Sequence, residues 1–84
     1  SNEYVKSNQL DLHQEIDEKI SKLTNRQKTI LELLSQKLTN NDIALKLGYS
    51  SSTIRQETIK IYDVLGIRGR EDSYLILNQV KDEI

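Results

Sequence analysis

Apolar residues recur three or four positions apart along most of the chain, which is the spacing of a helix that buries one face. The first such segment covers residues 9–22, and the last runs from about residue 70 to residue 80. Three further helical segments lie between them. The pattern predicts an all-α protein, with an N-terminal linker or leader helix in residues 1–22 and a small four-helix domain in residues 23–84.

Polar residues mark where the first two helices of this domain begin. Thr24 precedes Gln27 by three positions, the spacing of a capping box, in which each side chain bonds the backbone N–H of the other residue. Thr39 precedes Asp42 by the same interval. We therefore expect one helix to start after Thr24 and to end near Lys37, and a second helix to start after Thr39.

A sharp turn at residues 48–50 joins the second and third helices of the domain. We expect Gly48 to adopt the left-handed conformation that ends many helices, and Ser50 to cap the helix that follows. Ala44 is small enough for the two helices to cross closely. This arrangement is a helix-turn-helix, a motif that places its second helix in the major groove of DNA. A plain helical bundle is the alternative.

The third helix of the domain has two contrasting faces when its residues are placed about 100° apart. One apolar stripe is formed by Ile54, Thr58, Ile61 and Leu65. The opposite face carries Ser52, Gln56, Ile59, Lys60 and Asp63, with Arg55 on its shoulder. Glu57 falls on the flank, outside the apolar stripe, where we expect a solvated carboxylate that pairs with Lys60.

Two leucines fall off the main apolar faces of their helices. In the first helix of the domain the predicted inward face consists of Ile30, Leu31, Leu34 and Leu38. Leu33 lies to one side of that face, and Leu45 lies off the inward face of the second helix. Single exposed apolar residues are common on protein surfaces. A contact with RNA polymerase or with an upstream domain is the alternative for both leucines.

The composition excludes several kinds of functional site. The chain of 84 residues has no Cys and one His, His13, which excludes a disulfide, a thiolate or multi-His metal site and a His-based triad. We therefore expect no cofactor and no enzymatic activity. No stretch of about 18 apolar residues is present. We accordingly expect a soluble, cytoplasmic protein without a membrane partner.

The distribution of charge is more informative than the net charge of −1. Residues 24–77 carry eight basic and six acidic side chains, a net charge of +2. Residues 1–23 carry three basic and five acidic side chains, a net charge of −2. The acidity therefore lies mostly in the ends of the chain, and the helix-turn-helix segment is weakly basic.

A family resemblance covers about residues 23–77. The stretch LTNRQKTILELLSQKLTNNDIALKLGYSSSTIRQETIKIYDVLGIRGR resembles the LuxR-type (GerE-type) helix-turn-helix domain of bacterial transcription regulators. The ordered matches to the family pattern are Leu23, Thr24, Arg26, Leu38, Thr39, Asn40, Ile43, Ala44, Leu47, Ser50, Thr53, Ile61, Tyr62, Leu65 and Arg70. Conservative replacements stand at Ile54, Arg55 and Ile67.

The resemblance implies a sequence-specific domain whose third helix enters the major groove of double-stranded DNA and whose last helix forms a homodimer on paired half-sites. The positions that face bases in the family are here Arg55, Gln56 and Ile59. Those that approach phosphates are Thr39, Asn40, Ser52 and Lys60, and Ser51 joins them because helix N-termini favour phosphate. We expect the dimer contact at Tyr74 and Leu77. RNA polymerase and an upstream sensor or receiver domain are further expected partners.

Two acidic residues depart from the family pattern on the third helix. Glu57 replaces a His and Asp63 replaces a basic residue, and both changes reduce the attraction to phosphate. For Glu57, a hydrogen bond from cytosine and a role against non-specific binding are alternatives to a solvated carboxylate. For the domain, the alternatives are a protein-interaction module with little DNA affinity and a sigma-factor-like promoter module. The fourth helix argues against the sigma-factor-like module.

Overall fold

The computed structural model of the protein describes residues 14–72 and residue 74, and these residues form five helices. Helix α1 covers residues 14–21, α2 covers Asn25–Ser35, α3 covers Asn40–Leu47, α4 covers Ser51–Leu65, and α5 begins at residue 70. No strand occurs among the described residues. The predicted all-α class is confirmed, and so is a four-helix domain preceded by a leader helix. The ends predicted at residues 9–13 and 75–80 lie outside the described residues.

Reciprocal hydrogen bonds fix the starts of α2 and α3 at the predicted residues. Before α2, Gln27 N donates to Thr24 Oγ1 at 3.1 Å, and Thr24 N donates to Gln27 Oε1 at 3.0 Å. Thr39 and Asp42 make the same pair of bonds before α3, both at 3.1 Å. Each box satisfies two backbone N–H groups that the helix itself leaves without a partner.

Helix α2 ends slightly earlier than the predicted position near Lys37. The helix ends at Ser35, one turn-forming residue follows, and Lys37 then adopts the left-handed conformation with a φ of 66°. A side chain with a Cβ atom is strained in this conformation. Gly48 and Gly66 adopt it at the ends of α3 and α4, with φ values of 76° and 69°, and they do so without that strain.

The core lies where α4 packs against both α2 and α3. The largest fully buried side chains are Ile30, Leu31, Leu34, Ile43, Ile54 and Ile61. Thr58 is also buried, and its hydroxyl donates to the backbone oxygen of Ile54 at 2.7 Å. The predicted stripe of α4 is therefore buried, as is Glu57 on its flank, whereas the opposite side of this helix is exposed.

The prediction for Leu33 was wrong. Leu33 is only 7% exposed and belongs to the core. Leu38, predicted on the inward face, is partly buried against the core. Leu45 lies off the inward face as predicted, and it is 83% exposed.

The leader helix lies against the domain. Ile20 in α1 is partly buried against the core. Lys19 Nζ reaches the end of α4, where it lies 3.8 Å from the point at which a side chain on Gly66 would begin. A positive charge is favourable near the C-terminus of a helix, where the last carbonyl groups point outward. The boundary between residues 22 and 23 remains a prediction.

Candidate nucleic-acid interface

The turn between α3 and α4 sets the angle at which α4 leaves the domain. Gly48 N and Tyr49 N both donate to the backbone oxygen of Ala44 at 2.9 Å, so the end of α3 is closed by two bonds. Thr53 N donates to Ser50 Oγ at 3.1 Å, which caps α4 directly after the turn. Ala44 is buried at the crossing of the two helices. The predicted helix-turn-helix is present.

One face of α4 is fully open to solvent. The residues predicted for this face are all exposed: Ser52, Gln56, Ile59, Lys60 and Asp63, with Arg55 on its shoulder. Ser51, at the start of the helix, is exposed as well. Ile59 is 60% exposed, so its branched apolar side chain is available for contacts on this face. The face therefore combines two cations, a carboxamide and an apolar side chain, a set that can contact base edges and phosphates.

The start of α3 lies beside this face and carries two asparagines. Arg70 Nη2 donates to Asn40 Oδ1 at 2.7 Å, and Arg70 Nη1 donates to the backbone oxygen of Leu38. Ser51 Oγ donates to Asn41 Oδ1, which links the start of α4 to the start of α3. The starts of α3 and α4, both predicted to lie near phosphates, are thus joined by the hydrogen bond between Ser51 and Asn41.

Comparison with known protein families identifies the family of this chain. The sequence model of the family described as GerE, bacterial regulatory proteins of the luxR family, matches residues 21–77, well over half of the chain. The chain belongs to the luxR family. No curated protein and no solved structure gave a match. Members of the luxR family are DNA-binding helix-turn-helix domains of transcription regulators, and the family is not one of enzymes.

The position of Glu57 corrects the expectation of a solvated flank. Glu57 is only 5% exposed, although it belongs to a luxR-family helix whose outer face is open. Its Oε2 atom accepts a hydrogen bond from Arg26 Nε at 3.4 Å. Its Oε1 atom lies 3.6 Å from Lys60 Nζ, which confirms the predicted pair within α4. The carboxylate is buried because this flank of α4 faces the first turn of α2, and no local pattern signals a partner 31 positions away.

Arg26 joins this carboxylate to the turn of the luxR-family motif. Its guanidinium carbon lies 5.1 Å from the centre of the Tyr49 ring, within the range of a cation–π contact. A hydrogen bond with Tyr49, and then the bond and charge of Glu57, raise the pKa of Arg26 above its ordinary value. Arg26 thus connects α2 with the turn and with α4. The sequence matched Arg26 to the family pattern without indicating these partners.

The residues predicted for dimerisation are only partly described. Tyr74 is partly buried, and the Nζ atom of Lys37 lies 5.7 Å from the centre of its ring. Leu77 lies outside the described residues. The homodimer of this luxR-family domain therefore remains a prediction. Within residues 14–72, no helix is long and apolar enough to span a membrane.

Proposed function

We propose that this luxR-family domain binds double-stranded DNA sequence-specifically, with α4 in the major groove. The observation that carries the proposal is the open face of α4 in a helix-turn-helix of this family. Arg55 is suited to the two acceptors of guanine, Gln56 to the donor and acceptor of adenine, and Ile59 to the methyl group of thymine. These three residues are the proposed base readers.

We place the phosphate contacts at the starts of α3 and α4 and on Lys60. Thr39, Asn40, Ser51 and Ser52 lie where unpaired backbone N–H groups of helix N-termini attract anions. Contacts of this kind position a protein on the duplex, whereas base contacts determine which sequence it prefers. The proposed site therefore divides into a reading face on α4 and a flanking set of phosphate donors.

We further propose a homodimer on paired half-sites, formed through α5 with Tyr74 and Leu77. Two copies related by a two-fold axis each read one half-site, so the operator has matching symmetry. Binding to chromosomal DNA places the regulator in the bacterial cytoplasm. An upstream sensor or receiver domain and RNA polymerase are the proposed further partners, since a regulator must receive a signal and act on transcription.

The direct test is selection of bound sequences from a random DNA library. The selected sequence and a scrambled control are then titrated by fluorescence anisotropy at several salt concentrations. With about four phosphate contacts per subunit, the log–log salt slope should be roughly −3 to −4 per subunit. Two selected half-sites support the dimer, whereas one promoter-like element favours the sigma-factor-like alternative. Absence of binding at low salt favours the protein-interaction alternative.

Two variants separate reading from positioning on α4. If Arg55 contacts a guanine, Arg55→Ala should cost about 1–3 kcal/mol of DNA-binding free energy. It should also relax the base preference at one base pair. Lys60→Ala should weaken binding equally on all sequences and reduce the salt slope by about one. An even loss on all sequences for Arg55→Ala would move this residue from the reading set to the phosphate set.

A further inference from the structure

Arg70 is the first residue of α5, and its side chain reaches back to the start of α3. The two terminal nitrogens of its guanidinium group bond two different residues, the backbone oxygen of Leu38 and Oδ1 of Asn40. These bonds fall on either side of Thr39, the residue that caps α3. The guanidinium group thus holds the chain both before and after the cap.

The chemistry of arginine determines which way the Asn40 carboxamide is turned. A guanidinium group has donors and no acceptor, so the atom of Asn40 that lies 2.7 Å from Arg70 Nη2 must be the oxygen. The nitrogen of the carboxamide is therefore the atom that does not face Arg70. Its two N–H groups are donors, and phosphate oxygens only accept hydrogen bonds.

We propose that Arg70 is a positioning residue for DNA binding, which orients Asn40 so that its nitrogen donates to a phosphate. This inference rests on the proposed function, in which Asn40 is a phosphate contact. A carboxamide that is not held by Arg70 exchanges its oxygen and nitrogen ends freely. The oxygen end repels a phosphate, so an unheld Asn40 presents the productive donor only part of the time.

The test is a double-mutant cycle between Arg70→Lys and Asn40→Ala, measured as affinity for the selected DNA. Lysine keeps the positive charge and lacks the fork that bonds two acceptors at once. Asn40→Ala loses one hydrogen bond, which corresponds to a loss of affinity of about 3- to 10-fold. Arg70→Lys leaves the carboxamide free to turn either way, so the donor is presented about half the time and the affinity falls about 2-fold. In the Asn40→Ala background, Arg70→Lys should leave the affinity unchanged, because no carboxamide remains to orient. The salt slope should not change with Arg70→Lys, because the number of cations is the same.

Two controls separate orientation from stability. Arg68→Lys is the same substitution at an exposed position two residues earlier, and it should leave affinity unchanged in both backgrounds. Asn40→Asp keeps an acceptor for Arg70 and removes the donor, so it should remain at least as stable in urea as the unaltered protein. Its loss of DNA affinity should exceed that of Asn40→Ala, because the new carboxylate also repels phosphate. A purely structural role of Arg70 predicts that affinity and stability fall together.

Each outcome has a distinct meaning for the proposal. If Arg70→Lys lowers the affinity for DNA by the same factor with and without Asn40, the inference is overturned. DNA binding as a function is then unaffected. An unchanged affinity in Asn40→Ala also overturns it, since there is then no contact to orient. If the unaltered protein fails to bind any selected DNA, the proposed function itself is refuted and the inference with it.

Discussion

Replacing Glu57 with glutamine tests the buried ion pair between α4 and α2. Glutamine has nearly the same shape as glutamate, so Glu57→Gln removes the charge and leaves the packing in place. The side chain of Glu57 is 7% exposed, with Arg26 Nε at 3.4 Å and Lys60 Nζ at 3.6 Å from its carboxylate oxygens. The variant therefore measures how much the negative charge contributes to the stability of the fold and how strongly it holds Arg26 and Lys60.

The structure sets the size of the expected loss. A hydrogen bond to a charged group contributes about 1.5–3 kcal/mol, whereas an ion pair with an exposed lysine contributes only about 0.2–1 kcal/mol. A neutral carboxamide is less costly to bury than a carboxylate, which offsets part of the loss. The side chain of Arg26 is 46% exposed, so water replaces part of its lost partner. We expect a net destabilisation of about 1–2 kcal/mol for Glu57→Gln, with a fall in Tm of roughly 4–8 °C per kcal/mol.

The same variant should tighten DNA binding. With Glu57 neutral, Lys60 is no longer drawn toward a carboxylate, and its ammonium group is released for a phosphate. Lys60 is already one of the proposed phosphate contacts, so its release strengthens that contact without adding another, and the gain in affinity should be largest at low salt. Stability falls and affinity rises, and this combination distinguishes release of Lys60 from general damage to the fold.

The measurements are urea unfolding and anisotropy titration, each compared with Glu32→Gln. Glu32 lies on the exposed side of α2, so Glu32→Gln makes the same change in net charge without touching the ion pair. If Glu57→Gln is as stable as Glu32→Gln, the reasoning about the buried pair is refuted. Equal gains in DNA affinity for the two variants would mean that net charge alone controls affinity.

Three further predictions follow from the described residues. Lys37→Gly should be more stable in urea than Lys37→Ala by about 1 kcal/mol, because only glycine relieves the left-handed strain; equal stability contradicts this. Bonds from Thr39 hold the pKa of Asp42 below its ordinary value of 3.8, so the stability it contributes is complete above that pH and is lost as the pH falls through the lower folded value. The variant Asp42→Asn lacks this carboxylate, so its free energy of unfolding should fall less than that of the unaltered protein as the pH is lowered. Equal falls in the two proteins contradict this. In sedimentation, Tyr74→Ala should weaken the dimer and leave the monomer folded; an unchanged dimer removes Tyr74 from the contact.

Local signals in the sequence were sufficient for the helix starts and for the open face of α4. The capping pairs act over three positions, and the two sides of α4 follow from the geometry of one helix. Glu57 was misassigned because it is buried on the side of α4 that faces Arg26 of α2. Leu33 was misassigned as well, and it belongs to the core. The helical wheel of one segment contains no information on where its neighbours lie.

The contact between Arg70 and Asn40 illustrates the same limit at the candidate site. Both residues match the family pattern, yet they are 30 positions apart and belong to different helices. The sequence identifies them as two separate matches. Only the fold shows that one of them holds the other, and that the start of α5 is attached to the start of α3.

The two acidic departures from the family pattern do not have the same consequence for DNA binding. Glu57 is buried and its charge is compensated by Arg26 and Lys60, so little of it reaches the open face of α4. Asp63 is exposed on that face. The protein-interaction alternative drew support from both residues, and with Glu57 compensated inside the domain it draws that support from Asp63 alone. A single exposed carboxylate near the end of α4 weakens phosphate attraction locally, and it leaves Arg55, Gln56 and Ile59 in the first three turns open to a base edge.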